Sequence, residues 1–156
     1  MIKTKRVQLT PKELFLILIL RYIKKRWWLY VWLWALAIIL GLDGINDSFE
    51  VFYLVFVIIY PILLVVQFWR FVVSKDNKLL LLERHYEIDN EKITGIIDSD
   101  TYSPIKLEHF IKVEMIRKTY LLFIAKSQFI YIPSDSFETN EDREWFESEI
   151  VKKIKK

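Results

Sequence analysis

The chain has 156 residues, of which 53% are hydrophobic and 16% aromatic, and it contains no cysteine. This composition is rich for a small soluble protein and indicates that part of the chain is surrounded by lipid, while the absence of cysteine excludes disulfides, thiol catalysis and cysteine-based metal sites. The net charge of +3 resides in residues 1–74, whereas residues 75–156 carry fourteen basic and sixteen acidic residues and therefore offer no basic surface for nucleic acid.

The first predicted element is a helix over residues 9–25. Thr10 suits the N-cap, Pro11 suits the first helical position, and Glu13 completes a capping box. An apolar run follows and ends in basic residues. The run is too short to span a bilayer, so we expect the helix to lie along the inner membrane interface or to pack against the spans that follow it.

Two apolar stretches are predicted to cross the membrane as a helical hairpin. Residues 51–69 carry no charge, and at about 1.5 Å per residue they cover roughly 28 Å, enough for the hydrocarbon core. Residues 27–42 form a shorter run, which can span if the preceding basic side chains extend to the interface. Neither stretch contains an ionisable carrier of the kind that proton and ion paths use.

The distribution of basic residues predicts the orientation of the hairpin. Basic residues flank both spans on their outer ends, whereas the connection at 43–50 has three acids and no base. By the positive-inside rule, both termini face the cytoplasm. The candidate ligands for anionic lipid headgroups, unless they serve only to fix the topology, are Lys24, Lys25, Arg26 and Arg70. The predicted interface anchors, all at one depth, are Trp27, Trp28 and Trp69.

From about residue 78 the pattern changes to short runs rich in β-branched and aromatic residues. Strands are predicted at 84–89, 92–98, 104–107, 110–116, 119–125 and 128–133. Turn-forming groups such as DSDTYS at 98–103 separate them, and the short connections predict an antiparallel meander. The fold class is therefore α+β. Residues 1–74 form the interfacial helix and transmembrane hairpin, and residues 75–156 form a small cytoplasmic β domain.

A C-terminal helix is predicted to close this domain. Thr139 or Asn140 serves as its N-cap, and its first turns are acidic while its last turns are basic, as the helix dipole favours. Phe146, Ile150 and Ile154 recur every four residues, so they form an apolar stripe that can cover the sheet.

The segment QFIYIPSDSF at 128–137 is predicted to be a structural corner before that helix. Ile130 and Ile132 are expected to face the core. Pro133 has no amide hydrogen to extend the ladder, so the strand ends there. Phe137 is then expected to turn inward and to anchor the path to the helix.

Four segments together resemble the YcxB-like family of bacterial membrane proteins. They are LTPKELFLILILRYIKKRWW, RHYEID, IKLEHFIKVEMIRKTYLLFI and FIYIPSDSF, and they occur in family-like order. The resemblance implies a short N-terminal helix, two spans in the bacterial inner membrane and a pleckstrin-homology-like cytoplasmic domain. Leu107 stands where family members often carry tryptophan. Ser134 and Asp135 stand where they tend to carry basic residues, which argues against anion binding at the corner.

The sequence offers no catalytic motif. His85 and His109 are isolated, and the acid pairs at 98/100 and 141/142 fall in a turn and at a helix start. We therefore expect no enzyme, cofactor or metal site.

The first functional hypothesis is an inner-membrane protein whose β domain binds a protein partner or lipid headgroups at the bilayer surface. The second is an immunity protein that protects its cell from a membrane-directed toxin. The third is an oligomeric channel or transporter accessory subunit. The predicted partners are thus the lipid bilayer, a membrane or toxin protein and further copies of the chain, and not nucleic acid.

Overall fold

The computed structural model describes residues 1–44, 47–98, 101–126 and 128–154. The chain divides into two compact units: residues 11–78, here called the helical unit, and residues 1–10 with 79–156, here called the β unit. The sequence analysis grouped residues 1–10 with the helices and began the second domain at residue 75. The difference arises because the N-terminal residues pair with a strand far along the chain, which a ten-residue pattern does not reveal.

The helical unit consists of α1 (Pro11–Asp43) and α2 (Ser48–Val73). Asp47 caps α2, because its carboxylate accepts hydrogen bonds from the amides of Phe49 at 2.7 Å and Glu50 at 2.9 Å. The Glu50 carboxylate in turn accepts from the Asp47 amide, which completes a capping box. Both helices are long and apolar enough to cross a membrane. A 3-10 helix, Lys75–Leu81, follows α2.

Within the described residues, the β unit contains seven antiparallel strands in two sheets. The first sheet has the order β1 (Ile2–Lys3), β2 (His85–Ile88), β3 (Lys92–Asp98), β4 (Thr101–Lys106). The second has the order β5 (Lys112–Ile116), β6 (Thr119–Phe123), β7 (Phe129–Pro133). A 3-10 turn, Leu107–His109, connects them.

The α+β class and the six predicted strands are confirmed, with two differences. Residues 101–103 were predicted to lie in a turn but belong to β4, whose edge position tolerates Pro104 because an edge strand need not donate every amide. The predicted single meander is instead split into two sheets. Residues 99 and 100 of the predicted turn lie outside the described residues.

The C-terminal helix covers the core of the β unit. It comprises α3 (Asn140–Trp145), a π-helical stretch (Phe146–Val151) and α4 (Lys152–Ile154). Of the two predicted caps, Thr139 serves, because its hydroxyl accepts from the amide of Asp142 at 3.1 Å. The predicted stripe of Phe146, Ile150 and Ile154 is buried in the core. The π-helical stretch was not predicted.

The N-terminal segment joins β2 to the corner after β7. Thr4 and Tyr86 exchange two hydrogen bonds of 2.9 Å, one of them from the Tyr86 amide to the Thr4 hydroxyl. One residue further, the Lys5 amide donates to the Ser136 carbonyl at 2.7 Å. Val7 and Arg84 then pair in both directions, at 2.7 and 2.9 Å. The first ten residues are therefore a structural part of the β unit.

Candidate functional site

Helix α1 is broken at Arg26, between the predicted N-terminal helix and the predicted first span. Arg26 has a non-helical backbone (φ −123°, ψ 20°), and its guanidinium lies 5.3 Å from the centre of the Tyr22 ring. Lys24 and Lys25, immediately before the break, are exposed. Three of the four candidate lipid ligands therefore cluster at this break.

Both segments of α1 run alongside α2 in the opposite direction. Before the break, the ring of Phe15 lies 5.5 Å from that of Trp69. Closer to the break, the hydroxyls of Tyr22 and Tyr60 are 2.8 Å apart. After the break, the Tyr53 hydroxyl donates to the Leu33 carbonyl at 3.0 Å. The N-terminal part of α1 therefore packs against α2, the helix predicted as the second span.

This pairing separates the fourth lipid candidate from the other three. Arg70 adjoins Trp69 and so lies at the level of Phe15, whereas Lys24 follows Phe15 by nine residues, or roughly 13 Å of helix. The tryptophans separate similarly: Trp69 packs on Phe15, and Trp27 lines a cavity with residues 61–68. The sequence analysis placed the three tryptophans at one depth, because it took each span to end where its apolar run ends.

The cavity beside the break, of about 310 Å³, has apolar walls. Its α1 side includes Tyr22 and Trp27, and its α2 side includes Pro61 and Phe68. Such walls can hold an apolar group such as an acyl chain. Among the described residues, no group of three potential ligands is placed to hold a metal ion.

The corner at 133–137 is held by backbone interactions and by packing. The Ser136 hydroxyl donates to the Pro133 carbonyl at 2.6 Å, and the Ser134 amide donates to the Lys118 carbonyl at 2.7 Å. Phe137 is buried, with its ring 5.1 Å from that of Phe146. β7 ends at Pro133, and Ile132 lies in the core. These contacts give the corner a structural role.

A groove that the sequence analysis missed lies between β5 and the C-terminal helix. It has a volume of about 500 Å³; Val113, Met115 and Tyr120 line its sheet side, and Glu144 and Glu147 are among the residues on its helix side. The Tyr120 hydroxyl donates to the Glu147 carboxylate. Burial and this hydrogen bond raise the pKa of Tyr120. The sequence signal that could have revealed this groove is the placement of Glu144 and Glu147 on the helix turn beside the apolar stripe.

The geometry therefore supplies two surfaces: the apolar cavity at the α1 break and the groove beside β5. No family model, curated protein or solved structure matches this chain.

Proposed function

We propose that this chain is a non-enzymatic membrane protein that anchors a small binding domain at the bilayer surface. The observation that supports this most is the exposure of its two apolar helices: only 6% of the residues in the most apolar stretch of each helix are buried. Side chains such as Ile38, Ile58 and Leu63, which are 59–61% exposed, would each gain roughly 1–2 kcal/mol from transfer of their remaining exposed surface to apolar surroundings. A bilayer supplies such surroundings.

The two chain segments that form the β unit constrain the membrane topology of the hairpin. Residues on both sides of the helical unit fold together in one β unit. The two ends of the hairpin must therefore lie on one side of any bilayer that the hairpin enters. The basic flanks and acidic connection favour the cytoplasmic side, and with the YcxB-like resemblance this gives a bacterial inner-membrane protein with both termini inside.

The β unit is, in this proposal, a pleckstrin-homology-like domain that binds a protein partner. Two antiparallel sheets closed by a C-terminal helix support that fold. The nearly neutral charge of residues 75–156 favours a protein partner over a strongly anionic lipid headgroup. The analogy is one of fold, so the partner must be found by experiment.

Membrane insertion and topology are tested first. The full chain should remain in the membrane pellet after extraction with alkaline carbonate. A periplasmic reporter should be inactive when fused after Lys156 and active when inserted near Asn46. Release by carbonate, or the opposite reporter pattern, would overturn the anchoring proposal.

The partner is tested by chemical crosslinking in intact cells, followed by purification of the full chain in mild detergent and mass spectrometry. A stoichiometric protein partner is expected. If that partner is a membrane-directed toxin, the immunity hypothesis replaces the general one. If the chain crosslinks only to further copies of itself, the result supports the oligomeric channel hypothesis. Conductance measurements in planar bilayers then test that hypothesis.

A further inference from the structure

Strand β5 has an open edge. In the second sheet β5 pairs with β6 alone, and no described residue pairs with its other side. Arg117 and Lys118 form a two-residue turn with φ of 49° and 66°, as a type I′ hairpin requires. The hydrogen-bonded pair next to such a turn is Ile116 with Thr119. Because bonding alternates along an antiparallel pair, the amides and carbonyls of Val113 and Met115 point to the open edge.

The open edge adjoins the groove beneath the C-terminal helix. The side chains of Val113 and Met115 line the groove, and Met115 is 51% exposed. A strand added to this edge would run along the groove, with every second side chain directed toward the helix. Exposed edges of this kind are normally covered, twisted or blocked by proline, because they pair readily with other chains. Among the described residues, no further strand pairs with this edge, and residues 113–115 contain no proline.

The helix side of the groove carries two acids, Glu144 and Glu147, and one base, Lys152, so the acids outnumber the base and favour a basic residue on the added strand. Glu144 and Glu147 are one helical turn apart, so their side chains lie on one face. The Tyr120 hydroxyl holds the carboxylate of Glu147 at the groove wall. The π-helical stretch begins at Phe146, so the turn that bears Glu147 is wider than an α-helical turn while Phe146 stays in the core.

We propose that this groove binds an extended segment of a partner protein by strand addition to β5. The segment carries a lysine or arginine that meets Glu144 and Glu147, with apolar residues two positions to either side that contact Met115 and Val151. This inference rests on the proposed function, because it assigns the binding surface and the class of partner segment.

A second copy of the chain fits the groove less well than a foreign segment. If β5 of another copy were added through its own open edge, its odd-numbered residues would lie opposite the odd-numbered residues of the first copy, on the same face of the sheet. Its Val113 and Met115 would then face the groove, so the added strand itself would bring no cation to the two carboxylates. Charge complementarity therefore favours a different protein.

The test uses the full chain in nanodiscs of phosphatidylethanolamine and phosphatidylglycerol, panned against a displayed library of random decapeptides. The expected peptides have a basic residue with β-branched or other apolar residues two positions away. The variant Glu144→Gln/Glu147→Gln should weaken their binding at least about 10-fold, since a charge-assisted hydrogen bond is lost. The matched variant Glu141→Gln/Glu149→Gln removes the same charge from the same helix outside the groove and should leave binding unchanged.

A second arm tests the backbone pairing. N-methylation of the peptide amides that point toward β5 should abolish binding. N-methylation of the alternate amides, which point away from β5, should leave binding unchanged. The groove proposal is overturned if the library shows no enrichment, if enriched peptides are acidic, if both double variants bind alike, or if both methylation phases bind alike. A dimer of the full chain that excludes the peptide would replace the foreign segment by a second copy.

These outcomes are separate from those of the proposed function. A crosslinked cellular partner that is retained by Glu144→Gln/Glu147→Gln overturns the groove and leaves the anchored binding protein standing. If carbonate releases the chain from membranes but the chain still binds the peptides, the anchoring proposal is overturned and the groove proposal stands.

Discussion

Replacement of Thr4 by valine tests whether the N-terminus is a structural part of the β unit. Thr4 is 5% exposed, and its hydroxyl oxygen accepts a hydrogen bond of 2.9 Å from the amide of Tyr86, which is itself fully buried. Valine has nearly the same shape as threonine but cannot accept this bond. The Tyr86 amide would then be buried without a partner.

The expected cost follows from that unpaired amide. A buried donor left without an acceptor costs about 1–3 kcal/mol. The additional buried methyl group returns at most about 0.8 kcal/mol. We therefore expect Thr4→Val to lower the free energy of unfolding of the β unit by roughly 1–2 kcal/mol, a large share of the stability of a domain of this size.

Thr119→Val is the matched control. Thr119 is also buried, at 8% exposure, but it lies in the β5–β6 hairpin and takes no part in the pairing of β1 with β2. The same chemical change there should alter stability by no more than about 0.5 kcal/mol. Urea titration of the full chain in detergent micelles, with hydrogen-exchange mass spectrometry of the β2 and β7 peptides, measures both variants. Equal stability of the two variants would refute the assignment of residues 1–10 to the β unit.

Three further predictions use the same urea titration. Phe146→Ala should lower the free energy of unfolding by about 3–5 kcal/mol, because it empties a fully buried site between the helix and the sheet. The exposed control Glu149→Ala should lower it by less than about 0.5 kcal/mol. Gly95→Ala should cost about 1–3 kcal/mol, because a Cβ there would lie 3.3 Å from Cε1 of the fully buried Tyr86 ring; unchanged stability would mean that the ring can move. Burial raises the pKa values of Tyr86 and Tyr120, so the unfolded chain releases these protons at a lower pH than the folded chain does. The free energy of unfolding should therefore fall as pH rises above about 10. This fall with pH should be less steep in Tyr120→Phe.

Local sequence signals predicted the elements whose causes are local. Thr139 and Asp142 form a capping box within four residues, and Phe146 and Ile150 follow the period of a helix facing a sheet. β1 could not be predicted in the same way, because its two residues become a strand only by pairing with Glu87 and Ile88. Single-sequence patterns carry no information about such distant partners.

The same limit applies to the candidate sites. Lys24, Lys25 and Arg26 lie together at the helix break because they are adjacent in sequence, and that grouping needs no tertiary information. The position of Arg70 depended on the register between α1 and α2, which ring contacts such as Phe15 with Trp69 determine. The groove needs β5 to be an edge strand beside a helix that is thirty residues away in sequence, so it also depends on tertiary pairing. The YcxB-like resemblance stays a prediction.

The pairing of the N-terminus has a consequence for the order of folding. The chain leaves the β unit at Thr10 and returns at Leu79, and next to these points Val7 pairs with Arg84 while the Gln8 side chain donates to the Leu81 carbonyl at 3.1 Å. The first sheet therefore cannot form until residues 85–88 have emerged from the ribosome, and the whole apolar hairpin, which precedes them in the chain, has emerged by then. In the proposed membrane protein the hairpin must be sheltered from water during that interval, so its insertion would precede completion of the β unit. Pairing of the two helices in the bilayer would bring the two ends of the hairpin together and so lower the loop-closure entropy that β1 must overcome to join β2. Under this proposal the anchor also acts as the template on which the β unit closes.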